Sequence, residues 1–259
     1  MIVEFLGAPG SGKSTIALEL AQLLRAQGGR ARLEDSSAPT LGKALRGRAR
    51  RLVHAQLALL LAPSIARRVN QMSRLLPQPN LTSRLRLFHY LLHLHGLCLT
   101  QREGDNLLIL DQGFAQALYS FALESASGTE DSVLRSASRC LMRPALVIKL
   151  EIDEASLRHR LAHRGRRQSR IEAILDQDAD ALRRTTFLIQ RVATSLRAEG
   201  WNILEIDLSA SGRPPQEVAA SIVEDLEPLF ARPQRSAERV ASGRAPRDGR
   251  EQRNPRCSK

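Results

Sequence analysis

The sequence has few cysteines, few aromatic residues and no long apolar run. Three cysteines, Cys98, Cys140 and Cys257, are too few for a disulfide framework. No Cys-x-x-Cys spacing occurs, which argues against a zinc ribbon or a thioredoxin-type redox site. The aromatic content of 3% is too low for the base-stacking surfaces that bind single-stranded nucleic acid. The longest apolar stretch, residues 57–62, is far shorter than the roughly 20 residues that cross a bilayer.

The first residues, MIVEFLGAPG, lack the basic n-region and the cleavage site of a secretory signal. Together with the absence of a predicted transmembrane segment, this favours a cytoplasmic location, where thiols stay reduced.

The charge balance is strongly basic, with a formal net charge of +12. Half of the excess lies in residues 231–259, where nine arginines and lysines face three acids, and the other half lies in the first 230 residues. Apolar periodicity ends after Phe230, so residues 231–259 are predicted to be a disordered basic tail. A basic surface can hold anions such as phosphates, but nothing in the pattern indicates a specific nucleic-acid partner.

Apolar runs typical of strands alternate with helical patterns. Strands are predicted at 2–6, 31–34, 106–110, 145–150 and 202–206. Helices are predicted at 13–27, in most of 41–102, and at roughly 114–142, 154–199 and 215–229. Strands that alternate with helices pair in parallel through right-handed crossovers. The sequence therefore predicts one α/β domain over residues 1–230, a three-layer α/β/α fold with a mainly parallel sheet.

The clearest motif is Gly-Ala-Pro-Gly-Ser-Gly-Lys-Ser-Thr at residues 7–15, which matches the phosphate-binding (Walker A) pattern G-x-x-x-x-G-K-[ST] between a predicted strand and a predicted helix. Such a loop directs backbone N–H groups at phosphates, and the helix dipole adds positive charge there. Lys13 is expected to reach the β- and γ-phosphates of ATP, and Ser14 to bind Mg²⁺. The predicted ATP-binding residues are Gly7, Ala8, Pro9, Gly10, Ser11, Gly12, Lys13, Ser14 and Thr15.

A single acid, Asp111, follows the predicted strand 106–110. It has three interpretations: a Walker B acid that binds Mg²⁺ through water, a base toward an acceptor hydroxyl, or a cap of the next helix. The base-reading Asn-Lys-x-Asp of GTPases is absent, and so are the paired acids of AAA-type ATPases. A small P-loop kinase fits this pattern better.

Four blocks in order resemble the thymidylate-kinase-like branch of the P-loop nucleoside and nucleotide kinases. They are the loop 7–15, the segment 40–46, Asp111-Gln112-Gly113 at the place of the family's Asp-Arg-Tyr, and the arginine-rich segment 160–172. Asp35 falls near the acid of the family's Arg-Glu-Pro motif. The resemblance implies a P-loop NTPase fold, MgATP as the donor, a helical acceptor-side insertion over about 41–102 and an arginine-rich lid over about 155–172.

The motif, the strand-end acid, the resemblance and the chemistry of the side chains together give the candidate site residues. The predicted catalytic residues are Lys13, Asp111, Arg164 and Arg170, and the predicted metal ligands are Ser14 and Asp111. The predicted acceptor-binding residues are Asp35, Arg46, Gln112 and Gln116. Arginines of the lid would stabilise the charge of the transferring phosphoryl group. Alternatively, they form a solvated helix face or a nucleic-acid patch.

Two departures from the family affect the acceptor. Glu34 and Gln112 stand where the family has arginines that hold the acceptor phosphate. The first hypothesis remains an ATP-dependent kinase of a nucleoside monophosphate. The alternatives are a kinase of a non-nucleotide hydroxyl acceptor, such as a sugar or metabolite, and a regulatory P-loop ATPase or nucleotide switch. Whether the chain is a monomer or a homodimer is open.

Overall fold

The computed structural model describes residues 1–34, 41–101, 107–125, 130–162, 180–209 and 213–231. Five strands of these residues form one parallel sheet in the order β2-β3-β1-β4-β5. Their bounds are β1 (Ile2–Leu6), β2 (Ala31–Glu34), β3 (Leu107–Leu110), β4 (Leu146–Glu151) and β5 (Ile203–Asp207). Each lies within one residue of its predicted position, so the predicted parallel sheet is confirmed.

The connecting segments are helical. The described helices are α1 (Lys13–Ala26), α2 (Leu41–Leu61), α3 (Pro63–Leu75), α4 (Leu81–Leu99), α5 (Phe114–Glu124), α6 (Asp131–Ser138), α7 (Glu154–Ala162), α8 (Ala181–Ala198) and α9 (Pro215–Ala231). Pro63 opens α3 because the first turn of a helix needs no N–H donor there. The single helical segment expected over 114–142 is two helices, because the backbone at Ser125 is extended, with ψ of 134°.

The direction of the crossovers places the helices in two layers. The chain moves from β1 across β3 to β2, and then returns in the opposite direction through β3, β1, β4 and β5. A right-handed connection that reverses direction must change face. Helix α1 therefore covers one face, where α9 packs against it, and the helices that follow β2, β3 and β4 cover the other. The predicted three-layer α/β/α fold is confirmed.

The central strands are buried on both faces. All four residues of β3, Leu-Leu-Ile-Leu, are buried, as a bare apolar run predicts. Two charged side chains interrupt this apolar sheet, Glu4 in β1 and Lys149 in β4. Lys149 is neutralised by Glu151 and Glu205, whose oxygens lie 2.5 and 3.0 Å from its Nζ. Among the described residues, no helix is long and apolar enough to span a membrane.

Candidate active site

The phosphate-loop motif lies at the carboxyl end of β1, between the ends of β3 and β4. Gly10 and Gly12 have positive φ angles of 86° and 97°, which residues with a side chain rarely adopt. At Gly7 a Cβ atom would lie 2.8 Å from the Oγ of Ser11 and 3.1 Å from the carbonyl oxygen of Leu150. Three of the motif's glycines are therefore required by the backbone itself, and the loop is the tight turn that the pattern predicts.

Lys13 points back over this loop. Its Nζ donates hydrogen bonds to the carbonyl oxygens of Gly7, at 2.8 Å, and Ala8, at 2.9 Å. The hydroxyl of Ser11 is buried and has no hydrogen-bond partner among the described residues. A buried hydroxyl and a nearly buried ammonium group in one glycine-rich turn fit a phosphate ligand, since phosphate oxygens accept from both.

Ser14 and Asp111 meet although 97 residues separate them. The Oγ of Ser14 donates to Oδ2 of Asp111 at 2.9 Å. This contact arises because α1 begins after β1, and Asp111 directly follows β3, the neighbouring strand. Asp111 is only 1% exposed. A hydroxyl and a carboxylate at this separation are hard oxygen donors of the kind that Mg²⁺ binds, so the residues present fit the predicted metal.

The structure places the other predicted site residues as follows. Gln116, in the first turn of α5, is buried, and its Oε1 accepts a hydrogen bond from the N–H of Gly7 at 3.3 Å. Gln112 is exposed at the end of β3, and its carbonyl oxygen accepts from the hydroxyl of Tyr90 at 2.5 Å. Arg46 lies in α2, where only its backbone is described. Asp35, Arg164 and Arg170 lie outside the described residues, as do lid residues 163–172 and tail residues 232–259. Their roles stay predictions.

The described part of the predicted lid reaches the phosphate loop. Arg160, on α7, places Nη1 3.4 Å from the carbonyl oxygen of Ser11. Beside it is a cavity of about 330 Å³, lined by Gly12 of the loop, by Arg160, and by Arg213 and Val218 from the region of α9. The cavity adjoins the loop on the α1 side of the sheet, away from the end of β3.

Glu4 is a functional candidate that the sequence reasoning missed. It is fully buried in β1, and its carboxylate accepts hydrogen bonds from the N–H groups of Phe114, at 2.6 Å, and Ala115, at 2.8 Å. It thus fixes the start of α5, three residues after Asp111. Gly113 must be glycine here, because a Cβ would lie 1.9 Å from Oε2 of Glu4. The only signal in the sequence is a lone acid inside an apolar strand.

The buried position of Glu4 makes stability depend on pH. Burial raises the pKa of Glu4 to about 7 from an ordinary value of 4.5, although the two backbone donors oppose this. Between these pH values the folded protein keeps a proton that the unfolded chain has released. The contribution of Glu4 to the free energy of unfolding is therefore full below pH 4.5 and decreases as pH rises through 7, by about 3 kcal/mol in all.

Glu4→Gln, which has no titrating group, tests this in urea unfolding at pH 5 and pH 8. We expect the stability of wild type relative to Glu4→Gln to be lower at pH 8. The buried histidines titrate in both proteins and cancel in this difference. If the free energy of unfolding of wild type relative to Glu4→Gln is the same at both pH values, or is higher at pH 8, the raised pKa of Glu4 is contradicted.

A second missed group lies at the carboxyl end of β2. Glu34 accepts hydrogen bonds from Nη2 of Arg50 in α2, at 2.5 and 2.7 Å to its two oxygens. Nε2 of His93 in α4 lies 3.8 Å from Oε1 of Glu34, and His93 stacks on His54 with ring centroids 5.3 Å apart. Burial lowers the pKa of His93 to about 3, so it is neutral at pH 7. Among the described residues no group of three or more histidines, cysteines and acids could hold a metal ion.

Comparisons with known proteins give weak structural matches. No family model matches the chain, and no curated protein matches it. The chain is similar to a structure of deoxyadenosine kinase from M. mycoides with the products dCMP and a flexible dCDP bound, at 13% identity and a TM-score of 0.47, covering 88% of this chain and 100% of that one. It is also similar to the same organism's enzyme with bound dCTP, at 11% identity and a TM-score of 0.44, covering 87% and 100%. The reaction has to be inferred from this chain's own side chains.

Proposed function

We propose that the protein is an ATP-dependent phosphotransferase that transfers the terminal phosphoryl group of MgATP to a small molecule of the nucleoside class. The observation that carries this proposal is the convergence of Lys13, Ser14 and Asp111 at one edge of the sheet. A phosphate-binding turn alone would support nucleotide binding. A buried acid within 2.9 Å of the loop's hydroxyl adds the metal-binding group that phosphoryl transfer requires. The nucleoside class is supported by the four sequence blocks that resemble nucleoside and nucleotide kinases.

The groups at and around the phosphate loop have distinct roles in this proposal. Backbone N–H groups of the phosphate loop and the ammonium group of Lys13 would hold the phosphates of ATP, and Ser14 and Asp111 would hold Mg²⁺. A Mg²⁺ ion held there would offset the negative charge of the phosphates. Arg160 places a guanidinium group over the loop, and the cavity beside it is suited to the donor's base. Gln116 and Glu4 fix the loop and the start of α5, so they position the site.

The residues at the carboxyl ends of β2 and β3 favour an acceptor that presents a hydroxyl group and carries no phosphate. Glu34 ends β2 beside β3, with Glu34 and Leu110 in register, so its carboxylate lies at the same edge as Asp111. The two carboxylates repel a phosphate dianion, and the neutral Gln112 supplies no positive charge to offset that repulsion. A carboxylate can instead accept the proton of an attacking hydroxyl, which is general-base catalysis. We therefore assign the base to Glu34, held by Arg50.

A nucleoside monophosphate is the second candidate acceptor. Arg50 lies beside Glu34, and the first turns of α2 add Lys43 and Arg46. These cations would offset the loss of the family's two arginines if they face the acceptor. The two candidates differ in what they require from Glu34.

A screen for ADP release with MgATP, against nucleosides, nucleoside monophosphates and sugars, tests the proposal. Turnover with a nucleoside is expected, and Glu34→Gln should lower its kcat about a hundredfold or more. Arg50→Gln, which keeps the carboxylate, is the matched variant and should have the smaller effect. If turnover occurs only with nucleoside monophosphates, and Glu34→Gln leaves its rate unchanged or raises it, then a nucleoside monophosphate is the acceptor. ATP hydrolysis that needs a protein or nucleic-acid partner and no small acceptor would instead indicate a regulatory ATPase.

A further inference from the structure

The three helices α2, α3 and α4 contain no acidic residue. Residues 41–101 hold ten lysines and arginines and no aspartate or glutamate. Every arginine there whose side chain the structure describes is exposed. The acids that pair with two of them, Arg50 and Arg86, come from other elements, as Glu34 and Glu124. This part of the molecule therefore presents an almost uniformly positive surface to solvent.

Helix α2 also exposes large aliphatic side chains among these cations. Leu52, Val53 and Leu60 are 54%, 55% and 76% exposed. With Gln56 between them they lie at positions i, i+1, i+4 and i+8, which share one face of a helix. We call this set (Leu52, Val53, Gln56 and Leu60) the α2 outer face. The opposite side of the helix carries buried residues such as Ala58 and packs against α4.

We propose that the α2 outer face docks on a lipid bilayer surface that contains anionic lipids. An amphipathic helix with cations beside an apolar face lies in the plane of such a surface. Its aliphatic side chains enter the boundary between headgroups and acyl chains, and its arginines contact lipid phosphates. Juxtaposed basic residues strengthen the attachment because the surface potential is negative. This inference is independent of the proposed phosphotransfer.

The charge pattern argues against two other occupants. A second copy across a two-fold axis would present the same patch to itself. Two helices with arginines and no acids would then face each other, and the repulsion would oppose burial of the leucines. Nucleic acid would pair its phosphates with the arginines, but it would leave the aliphatic side chains of the α2 outer face without an apolar partner. An anionic bilayer supplies both kinds of contact.

Vesicle co-sedimentation of the full chain tests this proposal. The vesicles are phosphatidylcholine alone, or phosphatidylcholine with about 30% phosphatidylglycerol, which gives a negative surface potential. Wild type should sediment with the anionic vesicles, and less so as ionic strength rises. The variant Leu52→Gln/Val53→Gln/Leu60→Gln keeps every charge, the basic tail included, and should partition at least about tenfold more weakly because three aliphatic contacts are lost. Leu18→Gln, at a 44% exposed leucine of α1, is the matched control and should bind like wild type.

The outcomes distinguish a bilayer, a second copy of the chain and nucleic acid as the partner of the α2 outer face. Equal binding of wild type and the triple variant would overturn the proposal, since the charges alone, including those of the tail, would then explain attachment. Absence of binding to anionic vesicles would overturn it as well. A dimer in light scattering that dissociates in the triple variant would assign the face to a second copy, and duplex DNA or RNA binding lost in that variant would assign it to nucleic acid. Should the triple variant prove unfolded by circular dichroism, Leu60→Gln alone is expected to weaken vesicle binding about threefold.

Discussion

Lys13→Ala is expected to lower the kcat of phosphoryl transfer by about a thousandfold and to weaken binding of MgATP. The reason is the position of Lys13, a residue that is only 8% exposed and whose ammonium group is held over the loop by the carbonyl oxygens of Gly7 and Ala8. Alanine removes the cationic side chain that the loop segment 7–15 itself carries. Turnover of the identified acceptor measures the first effect, and calorimetric titration with MgATP measures the second.

The control for Lys13→Ala is Arg30→Ala. Arg30 is exposed and precedes β2 at the amino edge of the sheet, opposite the loop, so this variant removes the same formal charge outside the site. It should keep wild-type turnover and affinity. Wild-type turnover in Lys13→Ala, with its fold verified by thermal melting, would mean that phosphoryl transfer occurs elsewhere.

Asp111→Asn has the second large expected effect. The substitution preserves the shape of the side chain but removes the charge of a 1% exposed acid that accepts from Ser14. We expect kcat to fall at least about a hundredfold and the Mg²⁺ concentration for half-maximal activity to rise. Measurement of activity against Mg²⁺ concentration separates loss of metal binding from loss of a base, because only the former is relieved by excess Mg²⁺.

A double-mutant cycle sharpens the test of Asp111. If Ser14 and Asp111 bind one metal ion, the double variant Ser14→Ala/Asp111→Asn should lose less activity than the two single effects predict together. The effects of substitutions at residues that share a ligand are not additive. Asp225→Asn removes an exposed carboxylate of α9 and should leave activity unchanged. Full additivity at the Ser14–Asp111 pair would contradict a shared metal ion.

Glu34 and Glu4 show why part of the site could not be predicted. In the sequence Glu4 is a lone acid inside an apolar run, and Glu34 is noticeable only because the family has an arginine there. Their roles depend on which strands are neighbours: β3 lies between β2 and β1, so Glu34 and Glu4 approach the end of β3 from either side. The sequence contains no pattern that predicts this order, because the order of the strands in the sheet differs from their order along the chain.

Gln116 illustrates the same limit for a residue that the sequence did single out. Its amide suggested contact with an acceptor, which stays a prediction, and the structure adds a contact of its Oε1 with the N–H of Gly7. A helix that starts at residue 114 directs position 116 toward one strand or another according to how the helix crosses the sheet. Periodicity along the chain does not determine that crossing, so the contact was not predictable.

The sequence alone determined the phosphate loop, the five strands and the alternation that requires a parallel sheet. Those features are local, because the positive φ angles at Gly10 and Gly12 and the apolar runs of β1 and β3 are properties of consecutive residues. Only the tertiary structure brought Ser14 to Asp111, Arg50 to Glu34 and Glu4 to the start of α5. These contacts join residues between 16 and 110 positions apart, and they exist because strand order and crossover direction bring the carboxyl ends of particular strands together.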